Sequence, residues 1–312
     1  MKLDEQSIIL ETVGGSHAYG TNIETSDLDT RGIFIAERDF YHGFSKNVEQ
    51  IEMKGELDRV IYELRKFMKL AANCNPNILE ILFGRDKDII KITKLGEKLR
   101  EHRDLFLSKK CKHAYLGYAH AQLKRIKSHK KWLLDPPKKK PEREDFDLPK
   151  YKKLVPKDWI SAISQSDYSV LENKIDKDYE FLIDAAKKEK SYHDALTHWK
   201  QYINWKETRN SKRAALEAKW GFDTKHANHL VRMMRTCIEL LEGRGLLVYR
   251  HDAEELLDIR HGVWSYDKLI DEAQKLEAHA NELYETSNLR HHVDIEKLNE
   301  LCMELVEGSL NE

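Results

Sequence analysis

Ser7-Ile8-Ile9-Leu10-Glu11-Thr12-Val13-Gly14-Gly15-Ser16-His17-Ala18-Tyr19-Gly20-Thr21-Asn22-Ile23-Glu24-Thr25-Ser26-Asp27-Leu28-Asp29 is the stretch that decides how this chain is read. Residues 7 to 13 are mostly apolar and rich in β-branched side chains, which predicts a strand running into Gly14-Gly15-Ser16. After a polar spacer, Asp27-Leu28-Asp29 opens a second predicted strand over residues 27 to 36, ending in the apolar run Ile33-Phe34-Ile35-Ala36. Side chains alternate along a strand, so Asp27 and Asp29 project from one face. Two carboxylates held that close repel each other unless a cation lies between them. Phosphoryl transfer uses such pairs, because two magnesium ions about 4 Å apart stabilise the attacking and leaving oxygens together. Magnesium takes hard oxygen ligands and keeps waters and substrate phosphates in its shell, so a few carboxylates suffice. Gly15 lets the backbone come close to a phosphate. Ser16 adds a hydroxyl where the strand should pass into a helix, whose free N–H groups attract anions. An Asp-x-Asp pair alone is commonplace in surface turns; its order after a strand, a Gly-Ser and a spacer makes it informative.

Outward from this stretch, residues 48 to 58 predict a third, weaker strand. Beyond Asp58 the period changes, and Val60, Ile61, Leu64, Phe67, Met68 and Ala71 fit the stripe of an amphipathic helix. Asn75-Pro76 restarts a helix, with Asn as cap and Pro at its first position, and Ile78, Leu79, Ile81, Leu82 and Phe83 give it a buried side. Past Gly84 nearly every periodic segment reads as helical. Residues 122 to 157 hold thirteen Lys or Arg against five acidic residues, and five of the six prolines. Pro136-Pro137-Lys138-Lys139-Lys140-Pro141 excludes a helix interior and predicts an exposed loop, either solvated or in contact with nucleic acid. Further on, Asp223 is placed to cap a helix whose apolar stripe is Ala227, Leu230, Val231, Met234, Ile238 and Leu241. Lys225, His229 and Arg232 fall together on another face of that helix. The six tryptophans read as core anchors of the helical half, with Trp132 beside Lys130-Lys131 as a possible stacking surface for a base.

With 40% hydrophobic and 34% charged residues in 312, the chain has a globular balance and length for two domains. A net charge of -1 says nothing about partners. Cys74, Cys111, Cys237 and Cys302 stand singly, which argues against a disulfide framework or a zinc site and fits a reducing cytosol. Met1 to Glu5 lack the apolar core of a leader, and no apolar run reaches membrane-spanning length, so the expected location is cytoplasmic.

The order strand, Gly-Ser, spacer, Asp-x-Asp resembles the polymerase-β-type nucleotidyltransferases. Gly15 to Gly20, Ser26 to Gly32, Tyr62 to Phe67, Asn75-Pro76 and Leu79-Glu80 resemble a bacterial and phage family of predicted nucleotidyltransferases, some encoded beside RNA-repair ligases. Gly221 to Ala227, followed by His229 to Arg232, is similar to that family's second signature. The resemblance covers much of residues 10 to 85 and 215 to 275. It implies a third carboxylate on a neighbouring strand, matched by Asp58, with Glu56 as the alternative; Asp58 equally suits a helix N-cap. It also implies that Lys225, His229 and Arg232 bind the triphosphate, as against lying on a solvated face.

The expectation is an α+β protein: a nucleotidyltransferase sheet with flanking helices over residues 1–108, and a helical domain over 109–312 carrying a basic loop around 128–157. The expected reaction moves a nucleoside monophosphate from a nucleoside triphosphate such as ATP to an acceptor hydroxyl, releasing pyrophosphate. Asp27, Asp29 and Asp58 would bind Mg2+ or Mn2+, and Gly15, Ser16, Lys225, His229 and Arg232 would hold the nucleotide. An RNA end is the expected acceptor, with AMP transfer to a protein side chain and a non-catalytic nucleic-acid or partner-binding role as alternatives.

Overall fold

The computed structural model describes residues 4–44, 48–53, 57–150 and 179–311. Its sheet has five strands in the order β3-β4-β2-β1-β5, comprising β1 (Ile8–Gly14), β2 (Leu28–Phe34), β3 (Gln50–Met53), β4 (Leu57–Glu63) and β5 (Ile89–Ile92). β1 runs antiparallel to β2 and β5, β3 antiparallel to β4, and β2 parallel to β4. The α+β class expected from the sequence is the class observed.

The sheet buries both faces unequally. On one face Ile9, Leu10, Ile33 and Ile35 join the main core. Helices α3 (Leu64–Ala72) and α4 (Pro76–Phe83) cover it with Leu64, Phe67, Met68, Leu79 and Leu82. Phe67 is fully buried, so Phe67→Ala should cost about 3–5 kcal/mol in lost transfer energy and cavity. The other face holds a smaller cluster of Ile8, Phe34, Ala36 and Ile61, packed by Phe40 and Tyr41; Phe40 and Tyr41 sit on the short α2 (Arg38–His42). Beside that cluster Arg59 binds Glu11, which also accepts from Thr30 at 3.0 Å, tying β4, β1 and β2 together.

Two boundaries differ from the sequence reading. The weak third strand is two strands, and residues 60–63 belong to β4 rather than to a helix. Val60, Ile61 and Leu64 fit both periods, and pairing with β2 decides for strand. Helix α3 therefore starts at Leu64, capped by the Glu63 carboxylate, which accepts from Lys66 N–H. β5 lies past Gly84, where nearly every periodic segment reads as helical in the sequence.

Chain contacts divide the molecule into two compact units, residues 1–126 with 222–312, and residues 127–221. This division does not follow the expected one at residue 108. After Phe222 the chain returns to the sheet unit, and α9 (Thr224–Leu241), α10 (Ala253–Arg260), α11 (Tyr266–Thr286) and α12 (Ile295–Asn311) put Leu230, Val231, Met234, Leu269 and Leu301 into the same core as the sheet. That unit also contains the short α1 (Gly15–Tyr19) and α5 (Lys94–Glu101), while α6 (Lys110–Leu134) continues beyond residue 126.

The second unit is built from the end of α6, α7 (Tyr179–Thr208) and α8 (Ser211–Trp220). Trp132, Tyr202, Trp205 and His129 pack ring against ring, and Trp132 is 7% exposed with its Nε1 donating to His198. A ring so enclosed cannot stack on a base, which corrects that expectation. Arg143 makes a paired contact to the buried Glu189, and His129 and Arg209 share Glu217. The basic stretch is helical up to Leu134 and irregular from there to residue 150, apart from a short turn at Arg143–Phe146. Residues 151–157 of the expected loop, and Trp159, lie outside the described residues.

Candidate active site

β1 ends in an extended Gly14, and Gly15 adopts a φ of +60 that favours glycine. A methyl group on Gly15 would stand 2.1 Å from the Asp29 carboxylate, so this glycine is required both by its backbone and by its neighbour. α1 carries Ser16 and His17 and stops at Gly20, also left-handed, where a Cβ would meet the Tyr249 ring at 2.6 Å. The loop is held from the helical side as well: Arg250 N–H donates to Tyr19 O, and Arg260 donates to Thr21 O at 3.1 Å.

Across β2 the sequence-predicted acidic residues come together. Asp29 pairs with Gly14 of β1 on one side and with Asp58 of β4 on the other. Paired residues on adjacent strands share a face, so Asp29 and Asp58 form a row. Asp58 lies within a strand and α3 is capped by Glu63, so the N-cap role does not apply to it. Asp27 immediately precedes β2 and is exposed, as is Asp58, while Asp29 is half-buried. Glu56 lies outside the described residues.

The electrostatics fit this geometry. Burial raises the Asp29 carboxyl above the ordinary carboxylate range, and the charges of Asp58 and Asp27 push the same way. Arg31 and Lys225 act against the shift, which puts both cations within reach of Asp29. Arg31, two residues along β2, donates from Nη1 to Asn77 O at 3.1 Å. Among the described residues, no three His, Cys, Asp or Glu side chains stand close enough as they are to hold a metal ion. The donor set nevertheless suits magnesium or manganese: carboxylate oxygens in mutual repulsion, open to waters and phosphates as further ligands.

Lys225, His229 and Arg232 do not share one open face. Lys225 is exposed and His229 intermediate, but Arg232 is 2% exposed. Its Nη1 donates to Glu80 Oε1 at 2.7 Å, its guanidinium lies 3.5 Å from the Tyr19 ring centre, and its Nη2 donates to His229 Nδ1 at 3.2 Å. A guanidinium only donates, so His229 Nδ1 must accept there. The expected contact of Arg232 with phosphate is thereby corrected: its donors are committed inside the protein. Helix spacing alone concealed this, because the deciding partner, Glu80, is 152 residues away. Glu80 and Tyr19 entered the sequence reading only inside the family-like motifs Leu79-Glu80 and Gly15 to Gly20, with no role of their own. The available signal was a carboxylate set between Leu79 and Ile81 on a buried helix.

Residues 2–139 match the RNA repair pathway DNA polymerase beta family. An uncharacterized 38.9 kDa protein in the nrdC-mobD intergenic region of Enterobacteria phage T4 is 24% identical, over 81% of this chain and 82% of that protein. No solved structure matches. Among the described residues no helix is long and apolar enough to cross a membrane.

Proposed function

From the polymerase-β-like character of residues 2–139, which supports a nucleotidyltransferase-type function, we propose that this protein transfers a nucleoside monophosphate from a nucleoside triphosphate to an acceptor hydroxyl. The observation that carries the reading is the Asp29–Asp58 register, with Asp27 and Lys225 in the field of Asp29 and Gly15 against its carboxylate.

Asp27 and Asp29 would hold Mg2+ or Mn2+, with Asp58 completing the set. When bound, the metal supplies positive charge to the attacking and leaving oxygens. The Gly15 backbone and the Ser16 hydroxyl approach the triphosphate, and the Lys225 ammonium offsets its negative charge. The acceptor oxygen forms a bond to the α-phosphorus as the bond from that phosphorus to the bridging oxygen breaks. Pyrophosphate leaves with the electron pair, and Asp58 takes the acceptor's proton.

We assign the acceptor to the RNA class. The family description points there, and residues 127–221 carry 22 Lys or Arg against 16 Asp or Glu in a chain of net charge -1. Calorimetry of nucleoside triphosphate binding, with and without magnesium, tests the reading. Wild type should bind only with the metal, and Asp27→Asn should lose that dependence. Equal binding by both proteins, with or without magnesium, would contradict it.

A further inference from the structure

Beneath the Gly-Ser loop lies a buried polar assembly that the proposed reaction does not use directly. The Tyr19 hydroxyl donates to Glu80 Oε2 at 2.6 Å, and Arg232 fills the other carboxylate oxygen while covering the Tyr19 ring. Tyr19, Glu80 and Arg232 are all less than a tenth exposed. Burial pushes the Tyr19 hydroxyl well above its usual range, so it stays a donor. Burial opposes charge on Arg232, but Tyr19 and Glu80 outweigh it, and the guanidinium stays charged. The ion pair is therefore complete, with each oxygen of the carboxylate assigned to one partner.

Each member stands on an element that bears part of the site. Tyr19 closes α1, three residues after Ser16. Glu80 is on α4, whose Asn77 carbonyl accepts from Arg31, two residues from Asp29. Arg232 is on α9, two turns from Lys225. α4 thus contacts the Gly-Ser segment through Tyr19 and the Asp-x-Asp strand through Arg31, and Glu80 joins the Gly-Ser loop to the helix that carries Lys225.

We infer that Tyr19, Glu80 and Arg232 are positioning residues that fix the Gly15-Ser16 loop relative to Lys225 and thereby set affinity for the triphosphate. The inference rests on the nucleotidyl-transfer reading. A buried pair that served stability alone would, when weakened, lower the amount of folded protein and leave the binding constant of the folded fraction unchanged. A positioning assembly predicts a weaker binding constant in the folded fraction itself, whatever stability is lost with it.

Tyr19→Phe keeps the ring under Arg232 and removes only the hydroxyl; Glu80→Gln keeps the shape and removes the charge. Magnesium–ATP binding and turnover should be measured on both variants and on wild type, normalised to folded protein by circular dichroism. Tyr19→Phe should raise the apparent nucleotide constant about three- to tenfold, within the range of one weakened hydrogen bond, with turnover at saturation near wild type. Glu80→Gln should raise it further. If Glu80→Gln does not fold, Tyr19→Phe alone decides. An unchanged nucleotide constant in folded Tyr19→Phe, beside a wild type that binds, overturns this inference and leaves the transfer reading standing. A wild type that binds no nucleoside triphosphate overturns both.

Discussion

Asp29 and Asp58 are direct partners in the parallel pairing of β2 with β4, at adjacent strands about 4.8 Å apart, and their neighbours Thr30 and Arg59 are partners one step on. Thr30 and Arg59 both bind Glu11 on the opposite face, so the register that aligns the two aspartates is secured from below. A slip of one residue would turn Asp58 to the other face.

The raised pKa of Asp29 gives a prediction with a definite sign. Its folded pKa lies above its unfolded value, so ionising it opposes folding. The penalty is absent below the unfolded carboxyl's own range, grows as pH rises from there through the raised value, and is level above it. Asp29→Asn should therefore melt higher than wild type at pH 7 without metal and show no such gain at the acid end. Magnesium should raise the melting temperature of wild type more than that of the variant. Thermal melts at several pH values, with and without magnesium, check both statements.

Gly15→Ala places a methyl group 2.1 Å from the Asp29 carboxylate at a φ of +60. The strain costs about 1–2 kcal/mol, and the carboxylate must move. Nucleotidyl transfer should fall at least tenfold, while urea unfolding shifts only by that modest amount.

Lys225 and Arg232 should differ in what their loss costs the fold. Lys225→Ala should raise the nucleotide constant about ten- to a hundredfold, the loss of one charge-assisted contact, with little change in stability. Arg232→Ala leaves Glu80 buried without its partner and should destabilise the fold by about 3–5 kcal/mol. Denaturant melts beside nucleotide titrations distinguish the two; a silent Lys225→Ala would place that side chain outside the site.

For the basic stretch, the prediction concerns salt. Lys138 and Lys140 are exposed, and Lys139 makes an exposed contact with Asp145 at 2.5 Å. Replacing Lys138 to Lys140 with Gln should weaken RNA binding and flatten the plot of log affinity against log salt, since fewer counterions are released. An unchanged slope would return these lysines to a solvated surface.

What was legible in the sequence is what local physics decides. β1, β2, the Asn75-Pro76 cap and the Asp223 cap depend on neighbours within a few residues, and all four are present, the strands with ends one or two residues from where they were read. The start of α3 was misread because Val60 and Ile61 satisfy two periods at once, and only β2 across the sheet resolves them. Arg232 was misread for the same kind of reason. On a helical projection it joins Lys225, yet Glu80 and Tyr19, distant in sequence, draw it inward. The division near residue 108 did not anticipate the return of residues 222–312 to the sheet unit, since only contacts distant in sequence bring them there.

The most direct test of the central claim is transfer itself. Protein, RNA and each nucleoside triphosphate labelled at the α-phosphate are incubated with magnesium, and label on RNA is counted for wild type, Asp29→Asn and Asp58→Asn. The account predicts metal-dependent labelling by wild type with release of pyrophosphate, no labelling by Asp29→Asn, and a strong reduction by Asp58→Asn. Transfer by Asp29→Asn at the wild-type rate would contradict the assignment of this carboxylate row as the active site.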